Sequence, residues 1–186
     1  MSEFRVSTRY AKSLLELAIE KGALEEVLAD MKQLTAVAAA NRDFALSLKS
    51  PIVNFDKKLK VLNALFASTA NKMTMAFYGI VARKNRADLL VDIAREFQKQ
   101  YNSHKGIQVA DLTTTFPITE DLRSKFVGIV KEISGLDNIE LVEKIDTDII
   151  GGFVLKVNDR QLDESLSSKL KALRLEFSHN HYESKI

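Results

Sequence analysis

Apolar side chains recur at intervals of three and four residues through most of the first hundred positions, which is the spacing of one face of an α-helix. The clearest stripe consists of Leu24, Val27, Leu28, Met31, Leu34 and Ala38. Residues that cap or break helices divide the pattern at Gly22, Asn41, Ser50-Pro51, Asn71 and Asn85-Arg86. The pattern predicts six helices, some of them short, that form a bundle over residues 1–105.

The pattern changes after the segment Ser103-His104-Lys105-Gly106. Segments rich in Val, Ile and Thr then predict three strands, over residues 107–116, 139–145 and 149–157.

Helical spacing returns twice in this second part. It predicts one helix from Leu122 to Ile133, ended by Gly135, and a last helix over about residues 166–177. The predicted fold is mainly α with a small α+β part: a six-helix bundle, then a β-α-β-β-α domain over residues 106–186. We expect the end of the chain, His179 to Ile186, to be frayed.

Composition narrows the class of protein. The chain has 186 residues, of which 46% are apolar and 28% charged, as expected for an ordered soluble protein. It has no cysteine, which excludes disulfides and cysteine-ligated metal sites. The N-terminus does not resemble a signal peptide, and no segment approaches the ~20 apolar residues of a membrane span. We therefore expect any connection to a membrane to run through a partner.

The net charge of +2 is unevenly distributed, since the first 105 residues are net basic and the rest net acidic. Two modules with different partners would explain this, and so would random scatter between two solvated surfaces.

Motifs of catalysis and cofactor binding are not found. The chain lacks both glycine-rich phosphate-binding motifs, and its only glycine pair, Gly151-Gly152, lies in a predicted apolar strand, where a bulge or close backbone approach is expected. The three histidines, His104, His179 and His181, have no ligand partners at a metal-binding spacing. Acidic pairs lie among lysines, and the basic clusters are short. We predict no catalytic, cofactor or metal site and no nucleic-acid binding.

The first and fifth helices carry more apolar surface than a helix on the outside of a bundle needs. On a helical wheel the apolar arc of the first covers about 220°, against somewhat more than ~100° for a surface helix. The fifth has two apolar faces. One hypothesis is that the two helices form a groove for a partner helix; the alternative is that they are central helices of the bundle. The groove residues predicted are Tyr10, Leu14, Leu17, Met75, Tyr78 and Ala82.

Several segments of the chain resemble those of a known protein family. The stretch from Tyr10 to Ala18, the segment Ser50-Pro51-Ile52-Val53 and the pair Asn85-Arg86 resemble the F-type ATP synthase delta subunit family, whose mitochondrial counterpart is the oligomycin-sensitivity-conferring protein. The most specific part is a C-terminal signature consisting of Asp146, Gly151, Gly152, Asp163 and Ser165. Asn158 and Glu164 differ from the family pattern. Both lie at turns, so the difference concerns the geometry of the turns and not membership of the family.

The resemblance implies a non-catalytic peripheral-stalk subunit without cofactors, on the cytoplasmic side of the bacterial inner membrane. It implies that the N-terminal domain binds the N-terminal helix of the alpha subunit and that the C-terminal domain binds the C-terminus of the b subunit. Apolar spacing alone also allows a helix-binding adapter of an unrelated complex. A small enzyme would instead require a deep polar pocket with shifted titrating groups, and a nucleic-acid-binding protein would require salt-dependent binding.

Overall fold

The computed structural model describes residues 3–178, which divide into two compact units between His104 and Lys105. The first, unit 1, consists of helices. They are α1 (Glu3–Glu20), α2 (Leu24–Ala40), α3 (Arg42–Lys49), α4 (Phe55–Phe66), α5 (Lys72–Arg83) and α6 (Leu90–Lys105), with a 3₁₀ turn at Ala87–Leu89. The six helices predicted from the apolar spacing are confirmed.

The residues that divide the helices in the sequence do so through local geometry. Gly22 adopts a φ of +66°, a left-handed conformation that ends α1 at little cost for glycine. The side-chain oxygen of Asn41 accepts a hydrogen bond from the N–H of Phe44 at 3.3 Å and caps α3. Asn71 caps α5 in the same way through the N–H of Met73 at 2.8 Å.

The core of unit 1 receives large side chains from all six helices. The fully buried ones are Leu14, Met31, Leu34, Leu48, Leu62, Phe66, Tyr78, Leu90, Ile93 and Phe97. The ring of Phe66 lies 6.4 Å from that of Phe44 and 6.0 Å from that of Tyr78, so α3, α4 and α5 meet at this residue. Each such side chain stabilises the fold by roughly 1.5–3 kcal/mol through burial.

Unit 2 is a four-stranded mixed sheet with two helices. Its elements are β1 (Ile107–Thr114), α7 (Glu120–Ser134), β2 (Asn138–Ile145), a 3₁₀ turn at Thr147–Ile149, β3 (Phe153–Val157), β4 (Arg160–Asp163) and α8 (Leu166–Ser178). The strand order is β2-β1-β3-β4. Strand β1 is parallel to β2, because α7 connects them as a crossover, whereas β1–β3 and β3–β4 are antiparallel.

The three predicted strands are present, with two differences. The third begins at Phe153 rather than at residue 149, because Ile150 and Gly152 have φ values of +66° and +79° and cannot continue a strand. Gly151-Gly152 therefore precedes the strand instead of lying in it. The fourth strand, β4, was not predicted, since all four of its residues are exposed and leave no apolar alternation.

One face of the sheet packs on α7. The buried side chains there are Ala110, Leu112, Phe126, Val130, Leu141, Leu155 and Val157. The rings of Phe126 on α7 and Phe153 on β3 stack edge to face, 4.9 Å apart. Helix α8 contributes no buried side chain to unit 2.

Candidate partner-binding surfaces

Helices α1 and α5 meet through two aromatic side chains. The rings of Tyr10 and Phe77 lie edge to face with 6.2 Å between their centroids. Arg86, just after α5, donates a hydrogen bond to the Tyr10 hydroxyl at 3.0 Å, and its guanidinium carbon lies 5.7 Å from the centre of that ring. These contacts connect α1 with α5 and the segment that follows it.

The six predicted groove residues do not share one environment. Leu14, Tyr78 and Ala82 are 1%, 0% and 0% exposed, so they are core residues that a partner cannot touch while unit 1 is folded. Tyr10 and Met75 are half-buried, and Leu17 is exposed.

The reason lies in α5, which is apolar on both sides. The spacing of apolar residues along the helix shows that two apolar faces exist, but it does not show which of them turns inward. The structure places the face of Tyr78 and Ala82 in the core. The other face, which contains Phe77 and Ile80, turns outward.

The side chains that remain accessible on this side of unit 1 form an apolar surface across the two helices. We call it the α1/α5 surface, and it consists of Val6, Tyr10, Leu17, Met73, Phe77 and Ile80. On each helix these positions are three, four or seven residues apart, so they share one stripe. The signal for Met73, Phe77 and Ile80 is therefore present in the sequence, as the second apolar face of the fifth helix.

A buried carboxylate fixes the start of α5. Asp30 on α2 accepts hydrogen bonds from the N–H of Asn71 at 2.9 Å and from the hydroxyl of Thr74 at 2.5 Å. The Asn71 side chain also bonds to Glu26. A negative charge at a helix N-terminus is favourable, because the first N–H groups are unsatisfied. Sequence reasoning missed Asp30, although it lies within an apolar stripe, three residues after Val27.

Tyr78 is a core residue with an unusual feature. Its hydroxyl is buried and has no hydrogen-bond partner within the described part of the chain. Burial, and to a smaller extent the negative charge of Asp30, raise the pKa of Tyr78 well above its ordinary value. The phenol therefore stays neutral and acts as a packing group beside Phe66.

In unit 2 the glycine pair forms a junction with the start of α8. A side chain at Gly152 would collide with the carbonyl oxygen of Glu164, and its φ of +79° also favours glycine. The Gly151 carbonyl accepts a hydrogen bond from the N–H of Leu166 at 2.9 Å. Close approach of two backbones therefore requires glycine here.

The remaining signature residues stabilise turns of the chain through hydrogen bonds. Asp163 accepts hydrogen bonds from the N–H of Ser165 at 2.9 Å and the hydroxyl of Ser168 at 2.8 Å, and the Ser165 hydroxyl accepts one from the N–H of Ser168 at 3.2 Å. These bonds cap α8, and those of Ser165 and then Ser168 lower the pKa of Asp163. Asp146 likewise accepts a bond from the N–H of Asp148 at 3.0 Å.

Among the described residues, the other candidate chemistry leads to no site. Residues 3–178 contain no group of three or more His, Asp or Glu side chains placed to hold a metal ion. His104 is exposed, and His179 and His181, like the end of the chain predicted to fray, lie outside the described residues. Within the same range no helix has the length and apolar character needed to cross a membrane.

Comparison with known proteins extends over nearly the whole chain. The model of the family described as ATP synthase delta (OSCP) subunit matches residues 6–177. The chain is 43% identical to the ATP synthase subunit delta of Cytophaga hutchinsonii, over 96% of this chain and 97% of that protein. It is 33% identical to the subunit of the same name in Amoebophilus asiaticus, over 97% and 98% of the two chains.

A solved structure shows the same fold. A chain of the cryo-EM structure of the Toxoplasma gondii mitochondrial ATP synthase hexamer superposes with a TM-score of 0.71 at 22% identity, covering 92% of this chain and 97% of that one. The match includes both the helical part and the small sheet, since it covers nearly all of each chain. On the family match and these identities, the chain belongs to the ATP synthase delta (OSCP) subunit family.

Proposed function

We propose that the chain is a non-catalytic connector in the peripheral stalk of F-type ATP synthase. Unit 1 binds the N-terminal helix of an alpha subunit, and unit 2 binds the C-terminus of a b subunit. The chain thereby holds the catalytic head against the rotating shaft, so that proton-driven rotation is converted into ATP synthesis. It lies on the cytoplasmic side of the bacterial inner membrane and is attached there through its partners.

The observation that carries this proposal is the α1/α5 surface. Helices α1 and α5, which are in contact through Tyr10 and Phe77, present apolar side chains outward, although they already bury five and four residues in the core. An amphipathic helix from a partner fits such a surface, because its apolar face covers side chains that otherwise face water. On α5, Ile80 is 53% exposed, whereas the other two residues of this surface, Met73 and Phe77, are half-buried.

The charge beside this surface favours an acidic partner. From Lys72 to Arg86 the chain has four basic residues and no acidic one. Carboxylates on the flank of a bound helix would be attracted to this segment, which would raise the association rate and fix the orientation of the helix.

The experiment is a calorimetric titration, in which the full-length chain is titrated with a synthetic peptide of the alpha-subunit N-terminus and the affinity is measured. Ile80→Asp places a charge on the α1/α5 surface and is expected to weaken binding by at least about tenfold, as loss of a central apolar contact does. Leu46→Asp is the matched control: Leu46 is 52% exposed but lies on α3, and its variant is expected to bind like the unsubstituted chain.

Circular dichroism shows whether each variant is folded. Equal affinity of the Ile80→Asp and Leu46→Asp variants would contradict the assignment of the site. Failure of the unsubstituted chain to bind the peptide would contradict the proposed role of unit 1. Tyr78 is unsuitable for this test, because a charge at a buried position would unfold the unit.

A further inference from the structure

Strand β2 lies at one edge of the sheet in unit 2. It pairs with β1 on one side, and no strand of residues 3–178 pairs with its other side, which we call the β2 edge. All eight residues of β2, Asn138–Ile145, pair in register with β1 without a bulge. The opposite edge strand, β4, has only four residues. The β2 edge is therefore a long, regular row of backbone N–H and C=O groups, which is a template for one further strand.

Two apolar side chains of this strand are poorly covered. Val142 is 44% exposed and Ile145 is 56% exposed, although β-branched side chains in a sheet are stabilised by neighbours on the adjacent strands. Exposed β-branched residues on a long edge strand favour pairing with another chain. The charged residues Glu140, Glu143 and Lys144 restrict such pairing to chains with a matching charge pattern.

Helix α7 runs along this edge on one face of the sheet. Arg123 forms an ion pair with Glu143 of β2 at 3.1 Å, and Lys131 forms one with Asp137, just before β2, at 3.6 Å. Val127 lies between the two basic residues on the same side of the helix, since the three positions are four residues apart. The side of α7 next to β2 therefore carries a row of one basic, one apolar and one basic residue.

A groove opens where α7 meets the β2 edge. Its volume is about 580 Å³. The lining combines the apolar residues Ile107, Val127 and Ile139 with polar ones that include Lys105 and Lys131. An apolar side chain of an added strand can enter this groove at Val127, with charged side chains on either side of it.

The spacing of the row on α7 matches that of a strand. Successive positions of the row lie ~6 Å apart, because a helix rises ~1.5 Å per residue. Side chains on one face of a strand recur at every second residue, ~6.6 Å apart. Three alternate side chains of an added strand would therefore lie beside Arg123, Val127 and Lys131. The complementary pattern is acidic, apolar and acidic at every second position, and it reads the same in either direction of the strand.

The same row argues against a second copy of the chain in the antiparallel arrangement. Two β2 strands related by a two-fold axis would place both α7 helices on one face of the joined sheet, roughly 10 Å apart. Arg123 of each copy would then face Lys131 of the other, and like charges in that position repel. An acidic strand avoids this repulsion.

We propose that the β2 edge binds an extended segment of another protein, which adds a strand beside β2 and places acidic, apolar and acidic side chains against α7. Its backbone groups bond to the outer row of β2 in place of water, and its carboxylates join the ion pairs of Arg123 and Lys131. Sharing Lys131 costs little, because the side chain of its partner Asp137 is 98% exposed and such pairs are weak. This site is separate from the two contacts of the proposed function and does not depend on them.

The probe for this site is a synthetic seven-residue peptide with blocked ends, in which Glu, Val and Glu alternate with Thr. It carries a fluorophore, and its binding to the full-length chain is measured by fluorescence anisotropy, with an expected Kd below about 1 mM. In a control peptide, Pro replaces the Thr on each side of Val and removes backbone donors of the strand. This peptide is expected to bind at least about tenfold more weakly.

Two variants of the chain test the charge. Lys131→Glu reverses one charge of the row and is expected to weaken binding of the peptide by about three- to tenfold at low salt. Lys125→Glu is the matched control, because Lys125 is also exposed but lies ~120° around α7 from Lys131. Its affinity is expected to stay within about twofold of the unsubstituted chain. Circular dichroism of each variant checks the helix content.

Amide hydrogen exchange locates the contact. Amides on the outer side of β2 are expected to exchange fast in the free chain and to be protected when the peptide is bound. Protection of another part of the chain instead of β2 would overturn the inference. Slow exchange of every β2 amide in the free chain would do so too, because the edge would then already be covered.

The binding results decide the remaining points. No binding of the peptide at about 1 mM, or equal affinity of the peptide and its Pro control, would contradict strand addition. Equal affinity of the Lys131→Glu and Lys125→Glu variants would contradict the proposed charge pattern. A concentration-dependent dimer in sedimentation that protects the same β2 amides would also overturn the inference, because the edge would then belong to a second copy.

Discussion

The carboxylate of Asp30 on α2 and the hydroxyl of Thr74 on α5 share a hydrogen bond with 2.5 Å between their oxygens, and both residues are buried. The bond ties α2 to the first turn of α5, whose outer side carries Phe77 and Ile80. The position of the α1/α5 surface therefore depends on a polar contact inside the bundle.

Replacing Asp30 tests that dependence. Asp30→Ala leaves the buried Thr74 hydroxyl and the half-buried Asn71 N–H without their acceptor, so the free energy of unfolding of the chain is expected to fall by about 1–3 kcal/mol. Chemical denaturation measures this. Glu16→Ala is the control, since Glu16 makes only an exposed pair with Lys12 at 3.8 Å and should change stability by less than ~0.5 kcal/mol. Equal effects of both variants would show that the buried bond contributes nothing.

Removing the hydroxyl is expected to change the stability of the chain in different ways at two tyrosines of unit 1. Tyr78→Phe removes a buried hydroxyl that has no partner within the described residues, so stability is expected to stay the same or rise. Tyr101→Phe removes hydrogen bonds to the Glu25 carboxylate at 2.8 and 2.9 Å and should cost roughly 1.5–3 kcal/mol, as bonds to charged groups do. Thermal unfolding of the pair measures the difference. A larger loss for Tyr78→Phe would mean that its hydroxyl has a partner after all.

The glycine pair of unit 2 should tolerate no side chain at its second position. Gly152→Ala combines a strained φ with a collision against the Glu164 carbonyl, and the expected loss exceeds about 2 kcal/mol. Gly128→Ala in α7 is the matched substitution, because nothing lies within 4 Å of the added carbon. It should stabilise unit 2 by up to ~1 kcal/mol, since alanine favours the helix. A stable Gly152→Ala variant would contradict the close approach of the two backbones.

The cap of α8 predicts a response to acid. The pKa of Asp163 in the folded chain lies below its ordinary value of 3.8, so the ionised cap stabilises the folded state above that value, and the stability is lost as the pH falls through the lowered pKa. Ser168→Ala removes one of the hydrogen bonds and should raise the pKa of Asp163, as an NMR titration of its carboxyl carbon would show. Ser167→Ala is the control, and an unchanged pKa in the Ser168→Ala variant would contradict the account of the cap.

Much of the fold could be predicted because the helices of unit 1 carry both a regular apolar period and capping residues. In the structure, the side chains of Asn41 and Asn71 cap helices as predicted, and Gly22, which has no side chain, ends α1. Strand β4 could not be found, because its side chains are all exposed and its position depends on pairing with β3.

Which face of α5 turns inward could not be predicted, for a similar reason. Both faces are apolar, and only the packing of Tyr78 against Phe66 and the bond from Thr74 to Asp30 decide which of them turns inward. The signature residues around Gly152 could be recognised as a pattern. Their contacts with Glu164 and Leu166 follow from the tertiary fold and are not contained in the spacing.

The central claim is that one chain holds two partners at the same time, and native mass spectrometry tests it most directly. The full-length chain is mixed with purified catalytic head and with a soluble b fragment. The account predicts a single complex that contains the head, one copy of the chain and the b fragment, and that forms from head and b fragment only when the chain is present. Binding of only one partner at a time, or assembly of head with b fragment in the absence of the chain, would contradict it.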